Sequence, residues 1–428
     1  MPEVQGSDEA MPSIFGDFQG DPFASQSHVT STTRKTMNAH PSLNRRNFLK
    51  ETALAGAALG LAPGLLTEPR AAAGGRLKVG LIGCGSVSGS YLPNLTSKNY
   101  LEVVSVCDIR PERAKKRAEQ FKIPNAYPDI DAMLAGAPFD LLVNTTSMPS
   151  HYPVNKKGLQ ARRHVWSEKP MALEVKDARE LIGLAQKNGV HIWAAPTCVT
   201  SPQFKFMAET MASGKIGKVT AGHGTYGHTG PGWSAWFYEK GGGSLYDLGV
   251  YNVTTFTGLL GPVKEVVGMT AVINPTRKVE DKGEVKVESD ENTMLIMNHG
   301  EGVLSHVQTA FVYFDGEHLP GRDRKLYTVD IMGTRGTMHL QGWDWGPGGV
   351  DVATMDMSEL ETQCREPGKY DWVGGASYVA ECLLTGQSSL ITPEHGLHVL
   401  EVMNACHKSQ QTGRRVKVES TFKWPIFG

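Results

Sequence analysis

Three short stretches carry residue types that could do chemistry together. The first is Gly83-Cys84-Gly85-Ser86-Val87-Ser88, which follows an apolar run and opens a helical pattern. In such a loop Gly83 allows a tight turn. Gly85 lets the backbone approach a pyrophosphate, which then sits on the helix N-terminus beside Ser86 and Val87. Ser88 stands where a third glycine is usual and is small enough to keep helix and strand close. Asp108 ends the next apolar run, about twenty residues on. Its carboxylate can accept from both ribose hydroxyls of an adenosine, which favours NAD. Arg110 could hold a 2′-phosphate instead, so NADP stays open. The second stretch is Ser167-Glu168-Lys169-Pro170, at the end of a short apolar run. A lysine at a buried strand end is costly unless something uses its charge. The third is Gly241-Gly242-Gly243 followed by Asp247 and Tyr251. If 244–260 is a helix, Asp247 and Tyr251 share one face, and the glycines let backbone and substrate come close. His228, Trp233, Trp236 and Tyr238 lie just before, and aromatic faces stack well on sugar rings.

These residues need elements to hold them. From 77 onward, apolar runs at 77–83, 101–108, 139–146, 163–168 and 190–196 read as strands. Helical patterns at 111–121, 151–161 and 175–189 lie between them. Alternation of this kind predicts right-handed βαβ units and a parallel sheet covered on both faces. After Pro202 a helix at 203–215 leads into successive strand patterns at 218–229, 263–273, 292–299, 302–314, 325–333 and 336–343, with a last helix at 393–413. The expected fold is α/β. A doubly wound Rossmann domain spans 76–197, and an α+β domain with a mostly antiparallel open sheet spans 198–428.

The whole chain limits the function classes. It has 428 residues, 40% hydrophobic and 8% aromatic, with a formal net charge of −1. That balance, with no basic stripe, argues against a nucleic-acid partner. No run of about eighteen apolar residues suggests a membrane span. Six cysteines show no C-x-x-C and no metal-ligand spacing, so buried thiols and no metal are expected. Asn44-Arg45-Arg46-Asn47-Phe48-Leu49-Lys50, a weakly apolar stretch from Thr52 to Leu66 and Ala71-Ala72-Ala73 form a twin-arginine signal pattern with a cleavage site. Residues 1–73 are therefore expected to be an N-terminal extension and signal, with the mature chain starting at Gly74 and exported by the twin-arginine route to a periplasmic or other extracytoplasmic place. Met37 is an alternative start.

The G-x-G loop, "SEKP" and "GGGSLYDLGVYNV" (241–253) together make the chain resemble the glucose–fructose oxidoreductase / inositol dehydrogenase family (Gfo/Idh/MocA). "TSMPSHYPV" (146–154) and the last helical stretch resemble it too, so the likeness covers about 76–428. The resemblance implies that Lys169 lies beside the nicotinamide and contacts the reacting hydroxyl of a sugar or polyol. There the cation favours alkoxide character and lowers the pKa of a neighbouring phenol. Pro170 fixes the chain beside it, a cis bond being one means. Many relatives carry His where this chain has Tyr251, which is read as the acid/base; Asp247 holds a substrate hydroxyl or orients Lys169. Glu168 either keeps Lys169 charged or is a helix-side carboxylate. Thr145, Thr146 and Glu168 are placed in the cofactor cleft; His151 either lines it or caps a helix. The implied activity is NAD(P)-dependent oxidation or reduction at a hydroxyl-bearing carbon of a sugar, sugar derivative or polyol. Export would take the protein away from any ready nicotinamide pool, so the cofactor is expected to be held tightly. Alternatives are glycoside cleavage through transient oxidation, and a non-catalytic sugar-binding or regulatory role. A homo-dimer or homo-tetramer built on the open sheet face is expected.

Overall fold

The computed structural model describes residues 75–314, 326–366 and 368–427. The twin-arginine pattern and its cleavage site lie outside the described residues. Strands β1 (Leu77–Ile82), β2 (Leu101–Cys107), β3 (Asn125–Tyr127), β4 (Leu141–Asn144), β5 (His164–Ser167) and β6 (Ile192–Ala194) form a parallel sheet in the order β3-β2-β1-β4-β5-β6. This is the strand order of a dinucleotide-binding fold, whose crevice opens at the carboxyl ends of the strands. Helices α1 (Ser88–Ser97), α2 (Pro111–Phe121), α3 (Ile130–Ala135), α4 (Met148–Gln160) and α5 (Val175–Asn188) connect them. Local chemistry sets their ends. Pro111 opens α2, where its missing N–H costs nothing. Gly189 closes α5 in the left-handed region at φ 66°.

Helix α6 (Pro202–Ala212) leads to a nine-stranded sheet. Its members are β7 (Val219–Gly227), β8 (Glu265–Ala271), β11 (Asn292–Gly300), β12 (Val303–Ala310), β13 (Tyr327–Gly333), β14 (Gly336–Trp343), β15 (Gly346–Thr354), β16 (Glu361–Cys364) and β17 (Val416–Lys417). Their order is β16-β15-β14-β13-β7-β12-β11-β8-β17, and among these pairings only β7–β12 is parallel. A separate hairpin pairs β9 (Thr276–Val279) with β10 (Gly283–Lys286). The expected Rossmann domain and mostly antiparallel open sheet are both present. Between β7 and β8 the expected helix at 244–260 is two pieces, a π-helical turn at Leu245–Gly249 and α7 (Val250–Leu260).

Two late helices, α8 (Gly375–Thr385) and α9 (Pro393–Thr412), return to the first sheet. A Cβ on Gly375 would lie 2.2 Å from the Trp166 ring on β5, so only glycine lets α8 settle there. Asp371 accepts from Asn94 on α1 at 2.8 Å, and α9 packs on α5 and β6. All six cysteines are buried and unpaired. Among the described residues no helix is long and apolar enough to cross a membrane. No group of three or more His, Cys, Asp or Glu side chains there is placed to hold a metal.

Candidate active site

The loop after β1 meets the needs of a dinucleotide. Gly83 has φ 96°, and a Cβ there would lie 2.5 Å from the backbone of Thr145, so glycine is required. Before Gly85, which is half-buried, there is open space. Ser86 and Val87 face solvent while Ser88 is buried. The Ser88 hydroxyl donates to the Gly85 carbonyl at 2.7 Å, and Arg117 on α2 donates to the same carbonyl at 3.0 Å. Open room beside a helix N-terminus suits a pyrophosphate. Asp108 is held by the backbone N–H groups of Cys84 at 2.7 Å and Arg110 at 2.8 Å, which fixes its charge next to the loop. The Arg110 side chain is exposed. The residues present therefore fit the cofactor. Thr145 gives its hydroxyl to the Gly83 carbonyl at 2.8 Å and so shapes the loop from below. Thr146 donates to Asn144 at 2.7 Å.

Lys169 reaches across from the first sheet to the π-helical turn. Its Nζ donates to the Asp247 carbonyl at 2.7 Å and to Asp247 Oδ1 at 2.8 Å. The two side chains are only 11% and 16% exposed. An ammonium has three donors, so one is left for a further acceptor. The same Nζ lies 5.0 Å from the centre of the Tyr251 ring. Asp247 and Tyr251, four residues apart, thus meet Lys169 together. The Lys169–Pro170 peptide bond is cis.

Three expectations need correction. Glu168 does not face the Lys169 ammonium. It accepts from the Tyr91 phenol at 2.7 Å and from the Lys169 backbone N–H at 3.1 Å. Neighbours along an extended chain point to opposite sides, so the ammonium's partner comes from another element. The Tyr251 phenol is not lowered: burial first, then the Glu168 charge, pushes it well above its usual value. Tyr238 does not line a substrate site. It is 1% exposed and donates its hydroxyl to the Pro231 carbonyl at 2.8 Å.

The remaining candidates divide. His228 accepts from the Gly230 N–H at Nδ1 (2.9 Å), so its neutral ring carries the proton on Nε2. Burial holds it below its ordinary value against the opposing charge of Asp247, which keeps it neutral. Trp236 is half-buried and stacks on Phe237 at 3.7 Å. Trp233 packs edge-on against Phe237 and is 52% exposed. His151 caps no helix end; both ring nitrogens meet carbonyl oxygens, Pro170 at 2.7 Å and Thr146 at 2.9 Å. It ties the loop after β4 to the Lys169–Pro170 segment.

Sequence reasoning missed the other half of the aromatic wall. Tyr226 on β7 lies 5.9 Å from the Tyr251 ring and stacks on Trp343 at 4.3 Å. Trp345 donates its indole N–H to the Tyr226 hydroxyl. Between the tryptophans, Asp344 is buried and takes hydrogen bonds from Asn252 (2.9 Å) and Thr255 (3.1 Å). Burial pushes its carboxyl up to about 6. The signal was Trp-Asp-Trp between two glycines at a hairpin tip.

Residues 77–195 match the oxidoreductase family described as NAD-binding Rossmann fold, and 204–339 match the GFO/IDH/MocA C-terminal domain. The chain is 24% identical over 360 residues to D-apiose dehydrogenase of Paraburkholderia graminis, covering 81% of this chain and 90% of that protein. It is 25% identical over 324 residues to trans-1,2-dihydrobenzene-1,2-diol dehydrogenase of Mus musculus, covering 72% and 89%. Among solved structures it is similar to levoglucosan dehydrogenase in complex with NADH and L-sorbose, with a TM-score of 0.69 at 17% identity over 81% of this chain and 100% of that one. Aldose-aldose oxidoreductase from Caulobacter crescentus gives a TM-score of 0.69 at 18% identity over 80% and 99%. With one family matched on both sheets and the nucleotide loop intact, this chain belongs to the Gfo/Idh/MocA oxidoreductases and is an NAD(P)-binding enzyme.

Proposed function

We propose that the enzyme moves a hydride to or from a hydroxyl-bearing carbon of a sugar, sugar derivative or polyol. The observation that carries this reading is Lys169, clamped by two acceptors of Asp247 with one N–H left over. That remaining donor would hold the reacting hydroxyl oxygen and stabilise negative charge as it develops there. His228 would donate from Nε2 to a neighbouring hydroxyl. Tyr251, neutral because its phenol is pushed up, would donate rather than accept. Trp236, Trp343 and Tyr226 would stack on the apolar face of the ring and exclude water. The nicotinamide, when bound, supplies or accepts the hydride. Relatives named for D-apiose, D-glucoside and aldose chemistry support a carbohydrate substrate.

NAD is preferred over NADP in this reading, because the pinned Asp108 carboxylate would repel a 2′-phosphate. The twin-arginine pattern supports export to the periplasm, where a retained and internally recycled cofactor would be an advantage. Homo-oligomerisation as a dimer or tetramer would use the open face of the nine-stranded sheet, which leaves Met269, Met294, Ile296 and Leu304 exposed. The test is to purify the protein, denature it and identify any nucleotide released. One equivalent of NAD supports retention and the Asp108 assignment. NADP overturns that assignment, and an empty protein overturns retention.

A further inference from the structure

We propose that Asp290 is a positioning residue for the Lys169 ammonium, acting through the π-helical turn that carries Asp247; this rests on the reading of Lys169 and Asp247 given above. Asp290 precedes β11 and is buried. Its Oδ2 accepts from the Ser244 hydroxyl at 2.8 Å, the Leu245 backbone N–H at 3.0 Å and the Thr293 hydroxyl at 2.8 Å. Its backbone carbonyl accepts from the Ser244 N–H at 2.9 Å. Residues 244 and 245 are therefore pinned to the sheet by one carboxylate and its own peptide group. Asp247 follows two residues later, its N–H donating to the Gly243 carbonyl at 3.1 Å. From there its carbonyl and carboxylate hold Lys169.

The turn needs such an anchor. A π-helical turn is a rare, single-turn departure from the α-helix, and the N–H groups at its start lack internal partners. Asp290 satisfies that of Leu245. The same contact accounts for Gly243, where φ is 107° and a Cβ would lie 2.3 Å from Asp290 Oδ1. A second side of the anchor comes from α9. Asp290 Oδ1 and His407 Nε2 are both buried without a hydrogen-bond partner and stand 3.7 Å apart. The His407 ring lies 5.3 Å from that of Tyr246 in the turn. Tyr246 donates to Asn404 at 2.6 Å, and Asn404 donates to the Leu173 carbonyl at 3.1 Å, just past Lys169–Pro170. One helix thus braces both the turn that presents Asp247 and the segment that presents Lys169.

The experiment follows acetylation of Lys169 by N-succinimidyl acetate, read by peptide mass spectrometry, and requires no substrate. Asp290→Ala should speed labelling of Lys169 about tenfold by loosening its clamp. Lys157 on α4, paired with Asp131 on α3, should keep its rate. Asp290→Asn should restore the slow rate within about twofold, since its amide oxygen can still accept from Leu245. If Asp290→Ala does not fold, Ser244→Ala removes one of the same contacts and should speed Lys169 about threefold. An unchanged Lys169 rate in the folded variants overturns the coupling and leaves the reading of Lys169 intact. A Lys169→Ala enzyme that still reduces NAD with a sugar at the wild-type rate overturns that reading instead.

Discussion

Lys169 spends two of its three donors on Asp247, so its charge is committed before any substrate arrives. The neighbouring phenol of Tyr251 is pushed up by burial first and then by the Glu168 charge. Tyr251→Phe should therefore lower kcat only about tenfold, the scale of one lost hydrogen bond, and leave the pH–rate profile in place. Loss of a limb of that profile would instead make the phenol the titrating base. Asp344 gives a second prediction. Its Oδ1 and Asn252 Oδ1 are both buried acceptors without a donor, although Asn252 already donates to the other oxygen. A proton on the carboxyl would turn Asp344 Oδ1 from an unpaired acceptor into a donor. The folded value near 6 lies above the ordinary 3.8, so this group's contribution is complete below about 3.8 and is lost as pH rises through about 6. Asp344→Asn supplies an N–H in place of the proton. By melting, it should be more stable than wild type at pH 8, by up to about 3 kcal/mol, and hold no advantage at pH 4. At this scale the sequence reading singled out Lys169, Asp247 and Tyr251 through their motifs, and the structure places the three side chains together. It missed Tyr226 and Asn252, whose own neighbourhoods do not announce the packing that brings them together, and left unread the Trp-Asp-Trp tip that carries Asp344.

The elements were legible where they are long and capped. Helices α2, α5 and α9 have an apolar stripe and clear ends at Pro111, Gly189 and Gly413. Strand β3, helix α3 and the β9–β10 hairpin span only a few residues each, too short for a period to show. That hairpin is held by a buried ion pair that no pattern signalled. Glu291, its side chain fully buried, pairs with Arg277 at 2.6 Å and accepts from the Asn274 N–H at 2.6 Å. Arg277 in turn donates to the carbonyls of Thr229 and Phe311, bracing the stretch that carries His228. Burial alone would raise the Glu291 carboxyl, but the Asn274 and Arg277 hydrogen bonds outweigh it and hold it below its ordinary 4.5. Its stabilising effect is present above 4.5 and is lost as pH falls through the lower folded value. Glu291→Gln should cost about 3–5 kcal/mol in denaturant unfolding at pH 7. The gap to wild type should narrow as the buffer is taken below pH 4.5.

For the molecule as a whole, strand alternation followed by consecutive strands was enough to foresee two different sheets. The exposed face of the second sheet is where association should appear. Met294 and Ile296 on β11 are 46% and 48% exposed. Replacing both with Glu should give a monomer by light scattering if that face pairs with a second copy; an unchanged mass would place the contact elsewhere. The return of α8 and α9 to the first sheet has a further consequence, for synthesis. Trp166 on β5 is covered by a helix that begins at Gly375, so the nucleotide-binding half is finished by residues made last. A nascent chain stopped near residue 197 would leave that indole bare. The long sequence separation of such contacts slows folding and keeps this face exposed to wrong partners while the chain grows. Closure of the nucleotide-binding half over Trp166 therefore waits until Gly375 and the helix it opens have been made.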